Sequence, residues 1–229
     1  MREGFAIAID GPVASGKGAL ATALAKKLNG FYLYTGAMYR SVALLCINKG
    51  LNLDSEGDVT SVLSELNIEF DGDKVILNGQ NVTERLSKKD TASGASVVGV
   101  YQEVREVSTL KQQEVAEKAI RAGKIVVAEG RDTGTVVFPS AALKIYLTAR
   151  PEVRARRRME QFVSEEKNLE EQLLELKTRD RRDIEREVGP LPENPEDKGY
   201  FVLDNSDMNE EETLEVVFSQ LKQRNLLDD

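Results

Sequence analysis

FAIAIDGPVASGKGALATALAKKL, residues 5–28, decides the fold of this chain of 229 residues. The unbroken apolar run at residues 5–9 predicts a short strand that is buried on both faces. Residues 11–17 follow with the spacing Gly-x4-Gly-Lys, and residues 18–28 predict a helix that ends at Asn29 and Gly30. A strand, a glycine-rich turn and a helix in this order open an α/β domain with a parallel sheet.

The glycine-rich turn predicts a site for the phosphates of a nucleoside triphosphate. Successive backbone N–H groups converge on a phosphate at such a turn, and the helix N-terminus adds positive potential. Lys17 is expected to neutralise charge on the β- and γ-phosphates. A chance glycine-rich turn is the alternative, and the full spacing between strand and helix disfavours it. The expected triphosphate-binding residues are Gly11, Pro12, Val13, Ala14, Ser15, Gly16, Lys17, Gly18 and Ala19.

The rest of the chain alternates strands and helices around one different segment. Further buried strands are predicted at residues 31–35, 125–130, 141–149 and 201–206, and helices at 38–50, 100–123 and 209–224. From residue 68 to 82, apolar and polar residues alternate around the hairpin turn pairs Asp71-Gly72 and Asn78-Gly79. This alternation predicts a small antiparallel insert. A strongly charged helical region is predicted to end near Glu187.

Composition excludes several kinds of chemistry. The chain has no histidine, which excludes Ser-His-Asp and Cys-His catalysis and the common His-containing zinc sites. A net charge of −8 argues against a nucleic-acid polymer or a membrane surface as partner. No apolar run has the length of a membrane span, no signal-peptide pattern is present, and the single Cys46 is expected in the core. We therefore expect a cytoplasmic protein with one domain.

Positive charge is concentrated in two arginine runs of this acidic chain. TARPEVRARRR contains Arg154 and Arg158, and TRDRRDIER contains Arg179 and Arg186. A solvated basic helix face is the usual meaning of such a run. Because the same chain carries a triphosphate loop, and because the guanidinium fork matches phosphate oxygens, phosphate binding is the better interpretation.

Two further segments place polar groups where strands end. EGRDTGTVVFP brings Glu129, Arg131 and Asp132 out of the C-terminal end of a buried strand, where ligands bind in open α/β sheets. An Arg and an Asp at that place can bind an anionic group and a base or sugar donor, and an ordinary turn with an ion pair is the alternative. YTGAMYR opens a helix with Thr35 and Arg40, which also suits an anion.

Together these segments resemble the bacterial cytidylate kinases, a family of P-loop nucleoside-monophosphate kinases. The resemblance is carried, in order over nearly the whole chain, by IAIDGPVASGKG, YTGAMYR, LNGQNVTE, GRDTGTVVFP, RPEVRARRR and RDRRDIEREVGPL. It implies phosphoryl transfer from ATP to CMP or dCMP, with Mg²⁺ carried by ATP and water, in a protein we expect to be a monomer. It also implies a core at residues 1–34, 109–150 and 188–229, a monophosphate-binding insert at 35–108 and a helical lid at 151–187.

The resemblance further assigns roles by position. The residues implied to act on the phosphates are Lys17, Arg131, Arg154, Arg158 and Arg186, with the arginines of residues 154–158 on a mobile lid over ATP. The CMP-binding residues implied are Thr35, Tyr39, Arg40, Ser96, Arg105, Arg131, Asp132, Arg179, Asp183 and Arg186. Within that set, the resemblance implies that Ser96, Arg105 and Asp132 bind the cytosine ring. It implies that Arg179 and Asp183 contact the sugar.

Three positions depart from the family pattern. Ala19 stands where Thr is usual, Tyr34 where Asp is usual in the motif before the helix, and Ser87 where Arg is usual in the insert. The first two lie near the magnesium-bound phosphates in such folds. We therefore expect a raised Mg²⁺ requirement or a reduced turnover.

Other functions remain open from the residues alone. A kinase for another small acceptor, such as UMP, AMP or shikimate, differs only in the residues that read the acceptor. A nucleotide switch of the GTPase type normally has Ser or Thr after the loop lysine and an Asn-Lys-x-Asp signature. The chain has neither, since Asn48-Lys49 is followed by Gly50-Leu51. A catalytically weakened homologue is a third alternative, because of Ala19 and Tyr34.

Overall fold

The computed structural model describes residues 4–72, 74–161 and 168–227. Its strands are β1 (Ala6–Asp10), β2 (Phe31–Tyr34), β3 (Ile68–Asp71), β4 (Lys74–Leu77), β5 (Gln80–Asn81), β6 (Val126–Glu129), β7 (Leu143–Thr148) and β8 (Phe201–Asp204). Five of them form one parallel sheet in the order β2-β6-β1-β7-β8. The predicted α/β class and parallel sheet are therefore confirmed.

The helices alternate with these strands. They are α1 (Lys17–Lys27), α2 (Gly36–Lys49), α3 (Glu56–Ser61), α4 (Thr83–Leu86), α5 (Lys89–Val98), α6 (Gln102–Arg121), α7 (Pro151–Gln161), α8 (Leu169–Glu185) and α9 (Glu210–Gln223). α8 and α9 each begin with a capping box, in which an Asn side chain accepts from the third helical residue, a Glu. The sequence predicted α1, α2, α6 and α9 within two residues, gave α7 and α8 as one charged helical region, and left α3, α4 and α5 unassigned. Within the described residues, no helix is long and apolar enough to cross a bilayer.

Helices bury both faces of the parallel sheet, which explains why β1 is apolar up to its last residue, Asp10. On one face Ile7, Ile9 and Leu147 pack against Leu24 of α1 and Leu221 of α9. The other face carries Leu33, Val126 and Ala128, which pack with Ala116 of α6. All five residues of β1 are buried, so the loop that follows it leaves from the middle of the sheet.

The insert is a separate antiparallel sheet of β3, β4 and β5, as predicted. Asn78 and Gly79 both have positive φ at the turn between β4 and β5. The insert packs with α2 and with the following helices in a second apolar cluster, which includes Cys46, Leu77 and Leu86. The predicted boundary at residue 108 falls inside α6, and the division into core, insert and lid stays a prediction.

The predicted lid region contains two packed helices, α7 and α8. Residues 162–167 between them lie outside the described part of the chain. Motion of this helix pair stays a prediction.

Candidate active site

A cavity of about 980 Å³ lies at the carboxyl ends of the parallel strands. The glycine loop after β1, the end of β6 and the start of α2 line it, and so do residues of α5, α7 and α8. Crevices of this kind form where loops diverge beyond the strands of an open α/β sheet. The cavity therefore collects side chains that are far apart in the sequence.

The glycine loop takes a path that only particular residues permit. Gly11 has φ 146°, and a Cβ on it would lie 2.0 Å from the Leu147 carbonyl oxygen in the neighbouring strand. Any side chain at this position would separate β1 from β7. Gly16 has φ 95° and precedes α1 without a side-chain cap, so the first N–H groups of α1 are available to an anion.

The Lys17 side chain is buried and folds back against the glycine loop. Its Nζ donates to the Pro12 carbonyl oxygen at 2.7 Å and to the Ser15 hydroxyl at 3.4 Å. Burial, with repulsion from Arg131 as the next cause, lowers the pKa of Lys17 to about 7. Because burial disfavours the charged form of this amine, a phosphate bound in the loop would stabilise it.

The other end of the cavity is built from arginine–aspartate pairs. Arg105 of α6 donates to the Asp132 carboxylate, and both side chains are almost completely buried. Arg131 Nε donates to Asp183 of α8 at 2.7 Å. Burial would raise the pKa of Asp183, but Arg131 and Arg186 together hold it below its usual range.

Gly189 allows the Arg105–Asp132 pair to form. Its φ is 59°, and a Cβ there would lie 2.2 Å from a carboxylate oxygen of Asp132 and 2.5 Å from a terminal nitrogen of Arg105. The carbonyl oxygen of Gly189 also accepts from Arg186 Nε at 2.6 Å. A terminal nitrogen of Arg186 lies 3.6 Å from Asp132 and has no hydrogen-bond partner in the described structure.

Arg179 is a buried cation whose repulsion from other arginines is offset only in part by Asp183 and Glu175. Burial first, and then repulsion from Arg131 and Arg158, lower the pKa of Arg179 to about 10. It lines the cavity and forms no ion pair with any residue that the structure describes. Such a group gains most when an anion binds next to it.

The Glu129 carboxylate is a candidate ligand for a divalent metal, since it interacts with the loop lysine Lys17. Gly18 and Ala19 have no hydroxyl, and the described residues contain no group of three Asp, Glu or Cys that could hold a metal ion. The Glu129 side chain ends β6 and lines the cavity. Mg²⁺ usually keeps several waters and needs one or two carboxylates besides the phosphates of the nucleotide. Glu129 with a bound triphosphate therefore fits Mg²⁺.

Tyr34 is fixed in the same part of the cavity. Its ring stacks on Tyr32 with centroids 6.4 Å apart, and the Arg40 guanidinium lies 5.4 Å from the ring centroid. A Cβ at Gly36 would lie 2.8 Å from the ring, so the glycine makes room for it. Burial raises the pKa of Tyr34 to about 12, and its hydroxyl therefore stays protonated at neutral pH.

Comparison with known proteins agrees with this geometry. The family model for cytidylate kinase matches residues 7–223. The chain is 41% identical over 218 residues to the cytidylate kinase of Caldanaerobacter subterraneus subsp. tengcongensis, with 94% of each chain covered. It is also 40% identical over 220 residues to that of Fervidobacterium nodosum, covering 95% of this chain and 96% of the relative. The chain belongs to the cytidylate kinase family.

One solved structure has a similar fold. An uncharacterized protein from Eubacterium ventriosum superposes with a TM-score of 0.53 at 11% identity, covering 95% of this chain and 98% of that one. At this identity the likeness concerns the fold alone.

Most of the residues that the family resemblance implies are brought together. Those that line the cavity are Val13, Ala14, Gly16, Lys17, Gly18, Ala19, Thr35, Tyr39, Arg40, Ser96, Arg105, Arg131, Asp132, Arg158, Arg179, Asp183 and Arg186. The described lining does not include Gly11, Pro12, Ser15 or Arg154. Arg154 is buried behind the loop, where it donates to the Ala149 and Val13 carbonyl oxygens. Its direct contact with ATP stays a prediction.

The sequence analysis missed groups that hold the site from behind. Asp10, at the end of β1, accepts from the backbone N–H of Thr133 at 2.9 Å and of Gly134 at 2.7 Å, and from the Tyr200 hydroxyl at 2.7 Å. This fixes the turn that carries Arg131 and Asp132, and burial raises the pKa of Asp10. Its position at the end of an apolar strand was the available signal.

Asn205 supports the loop from the opposite side. It donates to the Ser15 carbonyl oxygen at 3.1 Å, and its own side-chain oxygen accepts from Arg157 at 2.9 Å. The signal in the sequence was weak, since Asn205 simply follows the last strand.

Proposed function

We propose that this protein transfers the γ-phosphoryl group of ATP to CMP or dCMP, giving ADP and CDP or dCDP. The observation that supports it best is a single cavity with a triphosphate loop at one end and the buried Arg105–Asp132 pair at the other. The names of the relatives agree with this acceptor.

The buried pair suits cytosine by its hydrogen-bonding groups. A carboxylate such as Asp132 accepts from the N4 amino group, and a guanidinium such as Arg105 donates to the O2 and N3 acceptors. Uracil has an acceptor in place of the amino group and a donor at N3, so it would leave the carboxylate facing an oxygen. Ser96 lines the same cavity and is proposed to complete the base site.

The phosphates fall between these two ends. Arg131 and Arg186 are proposed to hold the acceptor phosphate, and Lys17 with the loop N–H groups to hold the donor. Arg179, which the resemblance assigns to the sugar, is proposed to contact this phosphate as well, because an anion relieves its repulsion from Arg131. The acceptor oxygen is already largely ionised at neutral pH, so no strong base is needed. Catalysis then consists of aligning two repelling phosphates and stabilising their charge, which explains how the chain manages without histidine.

Mg²⁺ bound with ATP would supply charge neutralisation between the β- and γ-phosphates. Glu129 is the residue proposed to hold it, together with the phosphates and water. Arg158 lines the cavity and is proposed to contact ATP, whereas Arg154 donates to the Val13 carbonyl oxygen and is proposed to support the loop. A monomeric state and a cytoplasmic location stay predictions.

The test is a coupled assay of ADP release with CMP, dCMP, UMP and AMP as acceptors. We expect CMP and dCMP to give the highest kcat/KM. Replacing Asp132 by Asn should lower kcat/KM for CMP by about 10- to 100-fold, the effect of losing a charge-assisted hydrogen bond of about 1.5–3 kcal/mol. If no monophosphate stimulates ADP release, or if UMP is the best acceptor, the proposed function is wrong.

A further inference from the structure

Val13 of the glycine loop packs against helices α7 and α8. Its side chain is buried in a small apolar cluster with Ala155 of α7 and Leu176 of α8. Leu169 and Leu173 of α8 pack around that cluster. The loop is therefore attached to this helix pair as well as to the sheet.

The backbone of Val13 is held by one ion pair. Its N–H donates to Asp180 Oδ1 at 3.1 Å, and its carbonyl oxygen accepts from a terminal nitrogen of Arg154 at 3.0 Å. The same nitrogen donates to Asp180 Oδ2 at 2.7 Å, and only 8% of the Arg154 side chain and 14% of the Asp180 side chain are exposed. Both backbone groups of one loop residue thus depend on the Asp180 carboxylate.

The neighbours of Asp180 on α8 face the opposite end of the cavity. Arg179 lines the cavity without an ion pair in the described structure. Asp183, one helical turn further on, binds Arg131 and lies 3.7 Å from Arg186. A single turn of helix therefore contacts the donor loop and the arginines of the acceptor end.

We propose that Asp180 is a positioning residue that couples binding of the acceptor to binding of ATP. This rests on the proposed function. An acceptor phosphate beside Arg179 and Arg131 relieves the repulsion between these cations and fixes α8. Through Asp180, the fixed helix holds Val13, and with it the loop, in the conformation that binds triphosphate. The coupling is reciprocal, so ATP tightens the acceptor by the same factor.

The experiment measures this factor by calorimetry with a non-hydrolysable ATP analogue. Its Kd is determined alone and in saturating CMP. In the unaltered protein we expect CMP to tighten the analogue by at least about 5-fold, the low end of typical couplings. In Asp180→Asn the amide places a donor against Arg154, and we expect the factor to fall below about 2-fold. The Kd of CMP alone should change little.

Two further variants sharpen the result. Asp207→Asn is the matched control, because Asp207 pairs with Arg150 on the exposed surface, and it should leave the coupling unchanged. Asp180→Glu keeps the carboxylate at a changed length, and its coupling should lie between those of the unaltered protein and Asp180→Asn. It carries the test if Asp180→Asn does not fold.

The outcomes separate the two proposals. An unaltered protein with no coupling, or position 180 variants that keep the full factor, would overturn the role of Asp180. Failure of CMP to bind in every variant would instead refute the proposed function.

Discussion

Binding of ATP is expected to draw a proton onto Lys17. In the free protein, burial and the nearby Arg131 lower the pKa of Lys17 to about 7. A phosphate in the loop places negative charge next to the ammonium group, and this favours the protonated form. The lysine should therefore be partly neutral in the free protein and fully charged in the complex.

The expected proton uptake follows from the two protonation states. At about pH 8 a group of pKa about 7 is about one-tenth protonated, so binding takes up about 0.9 proton. At about pH 7 the uptake is about 0.5 proton, and at about pH 6 it is about 0.1. The phosphates of ATP contribute little at about pH 8, since their last pKa lies near 6 to 7.

The assay is calorimetric titration with ATP in buffers of different ionisation enthalpy, without acceptor. The slope of the observed enthalpy against the buffer enthalpy gives the number of protons taken up. The control is Lys17→Arg, because a guanidinium stays protonated throughout this range. Its slope at about pH 8 should be close to zero. An uptake below about 0.3 proton at that pH, or an equal uptake in the arginine variant, would refute a lowered pKa at Lys17.

Three further predictions concern the same site. In the unfolded chain Lys17 stays protonated up to about pH 10.5, whereas in the folded protein it stays protonated only up to about pH 7. The free energy of unfolding therefore rises with pH between these two values. Lys17→Met should therefore stabilise the free protein by up to about 4 kcal/mol at about pH 7 in urea unfolding while abolishing activity; equal stability would contradict this. Ala19→Thr combined with Tyr34→Asp should lower the Mg²⁺ concentration for half-maximal activity or raise turnover, and a magnesium titration that changes neither contradicts the expected metal defect. Gly189→Ala should lower kcat/KM for CMP at least about 10-fold by displacing Asp132, with KM for ATP as the unaffected reference.

The residues that local sequence could identify share one property, a position fixed by their own segment. Gly11, Gly16 and Lys17 were found because the loop spacing sets their geometry, and Arg131 and Asp132 because they follow a buried strand. Arg105 lies near the start of a long helical pattern with nothing local to mark it, and only the family resemblance pointed to it. The end of a buried strand can be located in the sequence and predicts which residues reach a site. The face of a long helix that reaches a site cannot be located in this way.

The supporting groups could not be predicted because their partners are remote along the chain. Asp10 binds residues 123 and 124 positions away, Asp180 binds a loop residue 167 positions away, and Asn205 one 190 positions away. Such contacts exist only after the sheet has placed the strand ends side by side. A single sequence contains no periodicity that reports them.

The central place of β1 also shapes how the chain acquires its site during synthesis. Ala6 pairs with Val126, and Ile7 with Leu143, so both neighbours of this strand are made more than a hundred residues later. At typical translation rates the interval is about ten seconds. During this interval a strand with four consecutive apolar residues, Ala6 to Ile9, remains unpaired, and long-range parallel pairing is slow to form and exposed to aggregation. The glycine loop that follows β1 can therefore take its working shape only after β6 and β7 have been made.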